Sequence, residues 1–257
     1  MFIPGQIPLL KLLGYFPRLA ALSLDYNLIG PLGDPIDHRS GGGGGGGGGS
    51  TRNESGGGER ETIRSGVAAG QSQVAGNELG AFLSSMPQLQ LLTLNRNPLR
   101  TFDNVLLNTS KLKYLSLSKA ELRSIPFPLP PSLVVLVLSD NDIRTIPRGA
   151  LQGLSSLQLL ILSGNKITLI AQGAFQDLIS LRRLNLGGNR LTALSNGTFD
   201  GLGSLQQLSL ASNRFQRPLE RRLFRDLANL SALDVSSCSL DSFDPRIIPS
   251  PALMHHL

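Results

Sequence analysis

One eleven-residue pattern, L-x-x-L-x-L-x-x-N-x-L, recurs along this chain and leaves little freedom in its fold. The first copy reads Leu19, Leu22, Leu24, Asn27, Ile29, and the second Leu89, Leu92, Leu94, Asn97, Leu99. The third begins at Leu112 and places Ala120 in the Asn slot. Copies four to seven begin at Leu133, Leu157, Leu181 and Leu205 and keep Asn141, Asn165, Asn189 and Asn213. The eighth begins at Leu230 with Cys238 in the Asn slot, and a ninth opens at Met254. From the second copy on, the starts lie 23, 21, 24, 24, 24, 25 and 24 residues apart.

The pattern has a physical meaning. The three opening template leucines span a short strand whose alternate side chains point inward, while the residues between them face solvent. The Asn marks the turn after the strand, where its amide reaches the backbone of neighbouring coils. Stacked coils then build an Asn ladder that satisfies buried peptide groups. Cys238 suits that slot as a buried side chain, whereas Ala120 cannot make the bond and marks the third coil as a weak point. A second apolar column lies six residues before each start: Leu13, Leu83, Leu106, Phe127, Leu151, Phe175, Phe199, Phe224 and Ile248. It predicts a layer on the far side of the core, with Phe175, Phe199 and Phe224 stacked as a spine.

With these residues in view, the chain resembles the extracellular-type, 24-residue leucine-rich repeat family. That family includes Toll-like receptor, Slit and chaoptin-like ectodomains and small leucine-rich proteoglycans. The resemblance implies an α/β repeat solenoid, a right-handed horseshoe. A parallel β-sheet would line its concave face, and loops or short helical turns its convex face. It covers residues 78–257 and, as one further coil, residues 9–32. Relatives carry cysteine-rich caps, and this sequence has only Cys238, which implies a fragment of a longer protein. The predicted organisation is a first repeat in residues 1–33, a Gly/Ser-rich disordered insertion in 34–77, and repeats two to nine in 78–257. The insertion rests on the 70-residue gap between the first two starts and on the run Gly41–Gly49. The run lacks the Lys, the preceding strand and the following helix of a phosphate loop.

Composition narrows the function classes. The chain has no Trp and only 5% aromatic residues, as a core of leucine layers allows. Its net charge is +6, but Arg96, Arg123, Arg144, Lys166, Arg190 and Arg214 occur about one per repeat, with no aromatics interleaved for base stacking. No nucleic-acid partner is therefore expected, and an anionic glycan stands as the second class of partner. No apolar run reaches the ~18 residues of a membrane span. Residues 1–8 lack the basic start of a signal peptide. A membrane link would come only through segments outside this chain. The three histidines, His38, His255 and His256, have no triad partners, and no hydrolase or metal motif occurs. No enzyme activity, cofactor or metal is expected.

A binding module remains. The solvent-facing template positions three and five bring Tyr114, Val135, Val137, Leu159 and Ile161 together, with Arg182 and Arg183 on one flank. An apolar patch edged by an aromatic ring and arginine has the character of a protein-binding hot spot. Four sequons, at Asn53, Asn108, Asn196 and Asn229, avoid those positions. The expected function is a cell-surface receptor or adhesion ectodomain that binds a protein ligand or co-receptor. The alternative is a secreted matrix-type or intracellular, cytoplasmic scaffold.

Overall fold

The computed structural model describes residues 19–26, 79–106, 108–240 and 245–248. Strands occupy Ala21–Ser23 (β1), Leu91–Thr93 (β2), Tyr114–Ser116 (β3), Val135–Val137 (β4), Thr145–Ile146 (β5), Leu159–Ile161 (β6), Leu169–Ile170 (β7), Arg183–Asn185 (β8), Gln207–Ser209 (β9) and Ala232–Asp234 (β10). Eight of them form one parallel sheet in the order β1-β2-β3-β4-β6-β8-β9-β10, while β5 and β7 pair separately. Each template copy among the described residues therefore supplies one strand, three residues long. The registers align the fourth template residue throughout, Leu22↔Leu92, Leu115↔Leu136 and Leu160↔Leu184 among them. β1 pairs with β2 although the two are 70 residues apart in sequence. The insertion expected in 34–77 lies outside the described residues, as do Leu13 and the ninth copy.

A strand of three residues has too few ladder bonds to hold itself, so the coils are bound by what lies behind it. The template leucines of coils two to seven are buried, with Leu92, Leu115, Leu136 and Leu160 fully excluded from solvent. Each such side chain contributes roughly 1.5–3 kcal/mol relative to an exposed one. The Asn ladder closes the turn behind them. Asn165 Nδ2 donates to the carbonyls of Leu138 in the preceding coil and Leu162 in its own, at 2.8 and 3.0 Å, while its Oδ1 accepts the Ile143 amide. Asn189 and Asn213 repeat the arrangement. Cys238 extends it with a weaker donor, Sγ to the Leu210 carbonyl at 3.0 Å. Burial pushes its thiol above the ordinary cysteine range.

The weakness expected at Ala120 is partly made good by Asn141 of the next coil. Asn141 Nδ2 still serves the Leu117 carbonyl, and its Oδ1 accepts both the Ala120 and Leu122 amides. The eighth template residue carries positive φ in every described coil: Tyr26, Arg96, Lys119, Asp140, Gly164, Gly188, Ser212 and Ser237. The turn demands a left-handed residue there, which glycine supplies without strain in two coils.

The far side of the core holds one correction. Leu83, Leu106, Leu151, Phe175, Phe199, Phe224 and Ile248 are buried as their column predicts. Phe175 and Phe199 stack with centroids 6.4 Å apart and planes within 12°, and Phe224 follows at 6.3 Å. Phe127, expected in that column, is instead 51% exposed. Its coil is the short one, 21 residues, and Pro126, Pro128, Pro130 and Pro131 force an extended path with few amides. Leu129 turns inward in its place, and the Phe127 amide donates to Asp103 Oδ1. Elsewhere the convex side consists of turns, a short helix over 79–84 and single 3-10 turns at Arg221–Phe224 and Pro245–Ile247.

Candidate functional site: the concave sheet face

The open face of the sheet is built from template positions three and five, which alternate with the buried leucine between them. Strand register places Tyr114 beside Val135, Val135 beside Leu159 and Leu159 beside Arg183. A second row runs Ser116, Val137, Ile161, Asn185. The five apolar residues expected to cluster do so on three adjacent strands, each half-buried against its neighbours. Arg183 stands exposed on β8, and Arg182 sits one residue before it, its carbonyl accepting the Gln206 and Gln207 amides of the next coil. Leu91 on β2 extends the apolar row past Tyr114.

Past β6 the surface changes character. Leu159, Ile161 and Arg183 line a trough of about 540 Å³ together with Asn185, Gln207, Ser209, Ala232 and Asp234. These last five were not singled out from the sequence, although the same two template positions mark them. Asp234 is fixed at the polar end. Its Oδ1 accepts the Ser236 hydroxyl at 2.7 Å and the Ser236 amide at 3.1 Å, and its Oδ2 accepts Ser209 Oγ at 3.2 Å. The Ser236 hydroxyl, opposed by partial desolvation and helped by the other bonds, holds this carboxyl below the ordinary aspartate range. The face thus runs from an apolar stripe on β3, β4 and β6, through an arginine, to a carboxylate on β10.

The sequons lie off this face. Asn108 and Asn229 are exposed, their amides donating to Ser84 Oγ at 3.2 Å and the Gly203 carbonyl at 2.7 Å, and Asn196 is exposed on a turn. Asn53 falls outside the described residues, as do His38, His255 and His256. Among the described residues no group of His, Cys, Asp or Glu is placed to hold a metal ion, and no helix is long and apolar enough to cross a membrane.

The buried Asn ladder and the one-strand-per-copy sheet agree with comparison to known proteins. The leucine rich repeat family model matches four overlapping windows, 120–167, 131–191, 157–215 and 179–240. Residues 120–240 are leucine-rich repeats. The leucine-rich-repeat fold also relates the chain to solved structures. One is the protein in the crystal structure of a TLR13–ssRNA13 complex, 34% identical with a TM-score of 0.57 over 60% of this chain and 23% of that one. Another is an LRR protein of Leptospira interrogans, 28% identical with a TM-score of 0.55 over 66% of this chain and 42% of that one. The chain thus spans under half the length of either. Among curated proteins none matches it by sequence. Leucine-rich repeats are in general binding scaffolds without catalysis, which leaves the concave face as the candidate site.

Proposed function

We propose that the repeats form a non-catalytic module that captures a protein partner on the concave face. The partner buries Tyr114, Val135, Val137, Leu159 and Ile161, with Arg182 and Arg183 at the rim. The observation that carries this reading is the register of the apolar residues. Three adjacent strands present branched or aromatic side chains to solvent at both open positions except Ser116, whereas β8 and β9 present Arg, Asn, Gln and Ser. Strand preference alone would not confine the apolar residues to consecutive coils. A compact apolar centre with a polar and charged surround is the anatomy of a protein interface.

The parent is read as a cell-surface receptor or adhesion protein, with a protein ligand or co-receptor. The 34% identity to the protein of the TLR13–ssRNA13 complex and the exposed sequons at Asn108, Asn196 and Asn229 support an extracellular or cell-surface setting. That protein's complex contains RNA, but the stripe here offers no cation on β3, β4 or β6 for a phosphate to meet. Pull-down of surface proteins with the full chain tests the reading. The pair Val137→Asp and Ile161→Asp should reduce capture by at least tenfold while the far-UV spectrum stays unchanged. Undiminished capture by the folded variant refutes it.

A further inference from the structure

We infer that the solenoid carries a second docking surface, an arginine-lined edge that binds a linear acidic polysaccharide. It lies apart from the concave face, so it stands or falls independently of the protein-binding reading.

The edge follows from the segment after the turn. Template residue eleven is buried in each of coils three to seven (Leu122, Ile143, Ile167, Leu191, Phe215), so residues ten and twelve on either side of it project together from one flank. A second backbone ladder stacks these segments. The Lys166 amide donates to the Ile143 carbonyl, Arg190 to Ile167 and Arg214 to Leu191, at 2.9–3.0 Å, and the Thr168 amide donates to the Arg144 carbonyl at 2.9 Å. Basic residues scattered in the sequence thereby become neighbours: Arg123, Arg144, Lys166, Arg190 and Arg214, one in each of five successive coils. Parallel strands repeat about every 4.8 Å, so the row extends over roughly 19 Å.

Charge balance on the flank favours an anion. Its two acids are already engaged, Glu121 by Arg100 at 3.6 Å and Asp142 by Lys166. The ion pairs formed among the described residues leave Arg123, Arg144, Arg190 and Arg214 unengaged, and all four are exposed. An arginine fork matches sulfate or carboxylate in a bidentate manner, and a row of them at regular pitch suits a polymer. The interleaved positions hold Thr168, Thr192 and Gln216, which can bond sugar hydroxyls, and no aromatic ring on which a base could stack. These features select an acidic polysaccharide over a nucleic acid.

The test titrates a fluorescein-labelled heparin oligosaccharide with the full chain and follows anisotropy at several NaCl concentrations. Four arginine contacts should make log K fall by about 3 per decade of salt, by the single-strand polyelectrolyte coefficient. Changing Arg123, Arg144, Arg190 and Arg214 to Gln should weaken binding at least tenfold and flatten that slope. The single Arg190→Glu should act in the same direction. A control with the same charge removed elsewhere (Lys111, Arg148, Arg221 and Arg222 to Gln) should stay within about threefold of the parent. Equal losses in both quadruple variants would show an effect of net charge alone and overturn the site. So would absence of heparin binding by the parent at physiological salt. Tighter binding of a single-stranded RNA of matched charge, lost in the same edge variant, would overturn the polysaccharide assignment.

Discussion

Replacing Asn189 by Ala removes three short hydrogen bonds and a long one to the Gly187 carbonyl at 3.4 Å, which keeps the Gly164 amide as its donor, and the ladder predicts that the three short ones are unequal. Its Nδ2 donates to the Leu162 and Leu186 carbonyls at 3.0 and 2.9 Å, and its Oδ1 accepts the Ile167 amide at 3.1 Å. Each carbonyl has a second donor, since Asn165 also reaches Leu162 and Asn213 also reaches Leu186, both at 3.0 Å. The Ile167 amide has no such reserve in the ladder, and Ile167 is fully buried. An orphaned buried amide costs about 1–3 kcal/mol, and two bonds to carbonyls that keep a partner add about 0.5–1 kcal/mol together. The expected loss is therefore about 2–4 kcal/mol. Cys238→Ala should cost less, about 1 kcal/mol, because its weak donor shares the Leu210 carbonyl with Asn213, and the Phe215 amide bonds to the Cys238 carbonyl, which survives the change.

Sharing also predicts non-additivity. Asn165→Ala and Asn189→Ala each leave Leu162 one donor, but the double variant strips it of both. The pair should be worse than the sum of the singles by about 1–2 kcal/mol. Urea unfolding followed by circular dichroism ranks the variants, and amide hydrogen exchange reads the Ile167 site directly. Local protection is the sharper measure, because a repeat array need not unfold as a single unit. The reasoning is refuted if Cys238→Ala destabilises as much as Asn189→Ala, or if the double variant is simply additive.

Phe199→Ala opens a cavity in the middle of the aromatic spine and should cost about 3–5 kcal/mol in chemical denaturation, whereas Phe127→Ala should cost under about 1 kcal/mol because that ring stands in solvent. Cys238, 2% exposed with its thiol held neutral by burial, should resist an aromatic disulfide reagent in the folded chain and react at once in denaturant. Rapid labelling without denaturant would contradict its place in the ladder.

The template made most of the fold legible because its repeated positions are the ones burial dictates. A leucine at position four must point inward in every coil, and eight strands in one sheet follow from eight copies. Phe127 escaped the pattern because the column of large apolar residues assumes a coil of ordinary length. Four prolines in a coil three residues short rearranged which side chain turns inward, and Leu129 took the slot. The left-handed eighth position was hidden for a different reason. Arg, Lys, Asp, Ser and Tyr occupy it besides Gly, so residue type alone gave no sign of the demand.

The surfaces were legible only in part, and the reason lies in how the coils are held. Two hydrogen-bond ladders, one from the Asn amides and one from the backbone of the segment after them, fix register without using the side chains that face solvent. Positions three, five, ten and twelve are therefore free to vary, and a residue there carries no information about the fold. Its meaning comes only from the same position in the next coil. The apolar stripe could be read that way because its members are consecutive and alike. The trough from Arg183 to Asp234 could not, because its members differ in kind and are united only by the surface they share. The arginines looked scattered for the same reason, since Arg123 and Arg144 hold position twelve whereas Arg190 and Arg214 hold position ten. Stacking merges the two positions into one row. Because the buried eleventh residues and the Asn column separate that row from the concave strands, charge changes on the edge should leave the protein-binding stripe intact. The two binding readings can accordingly be tested one at a time.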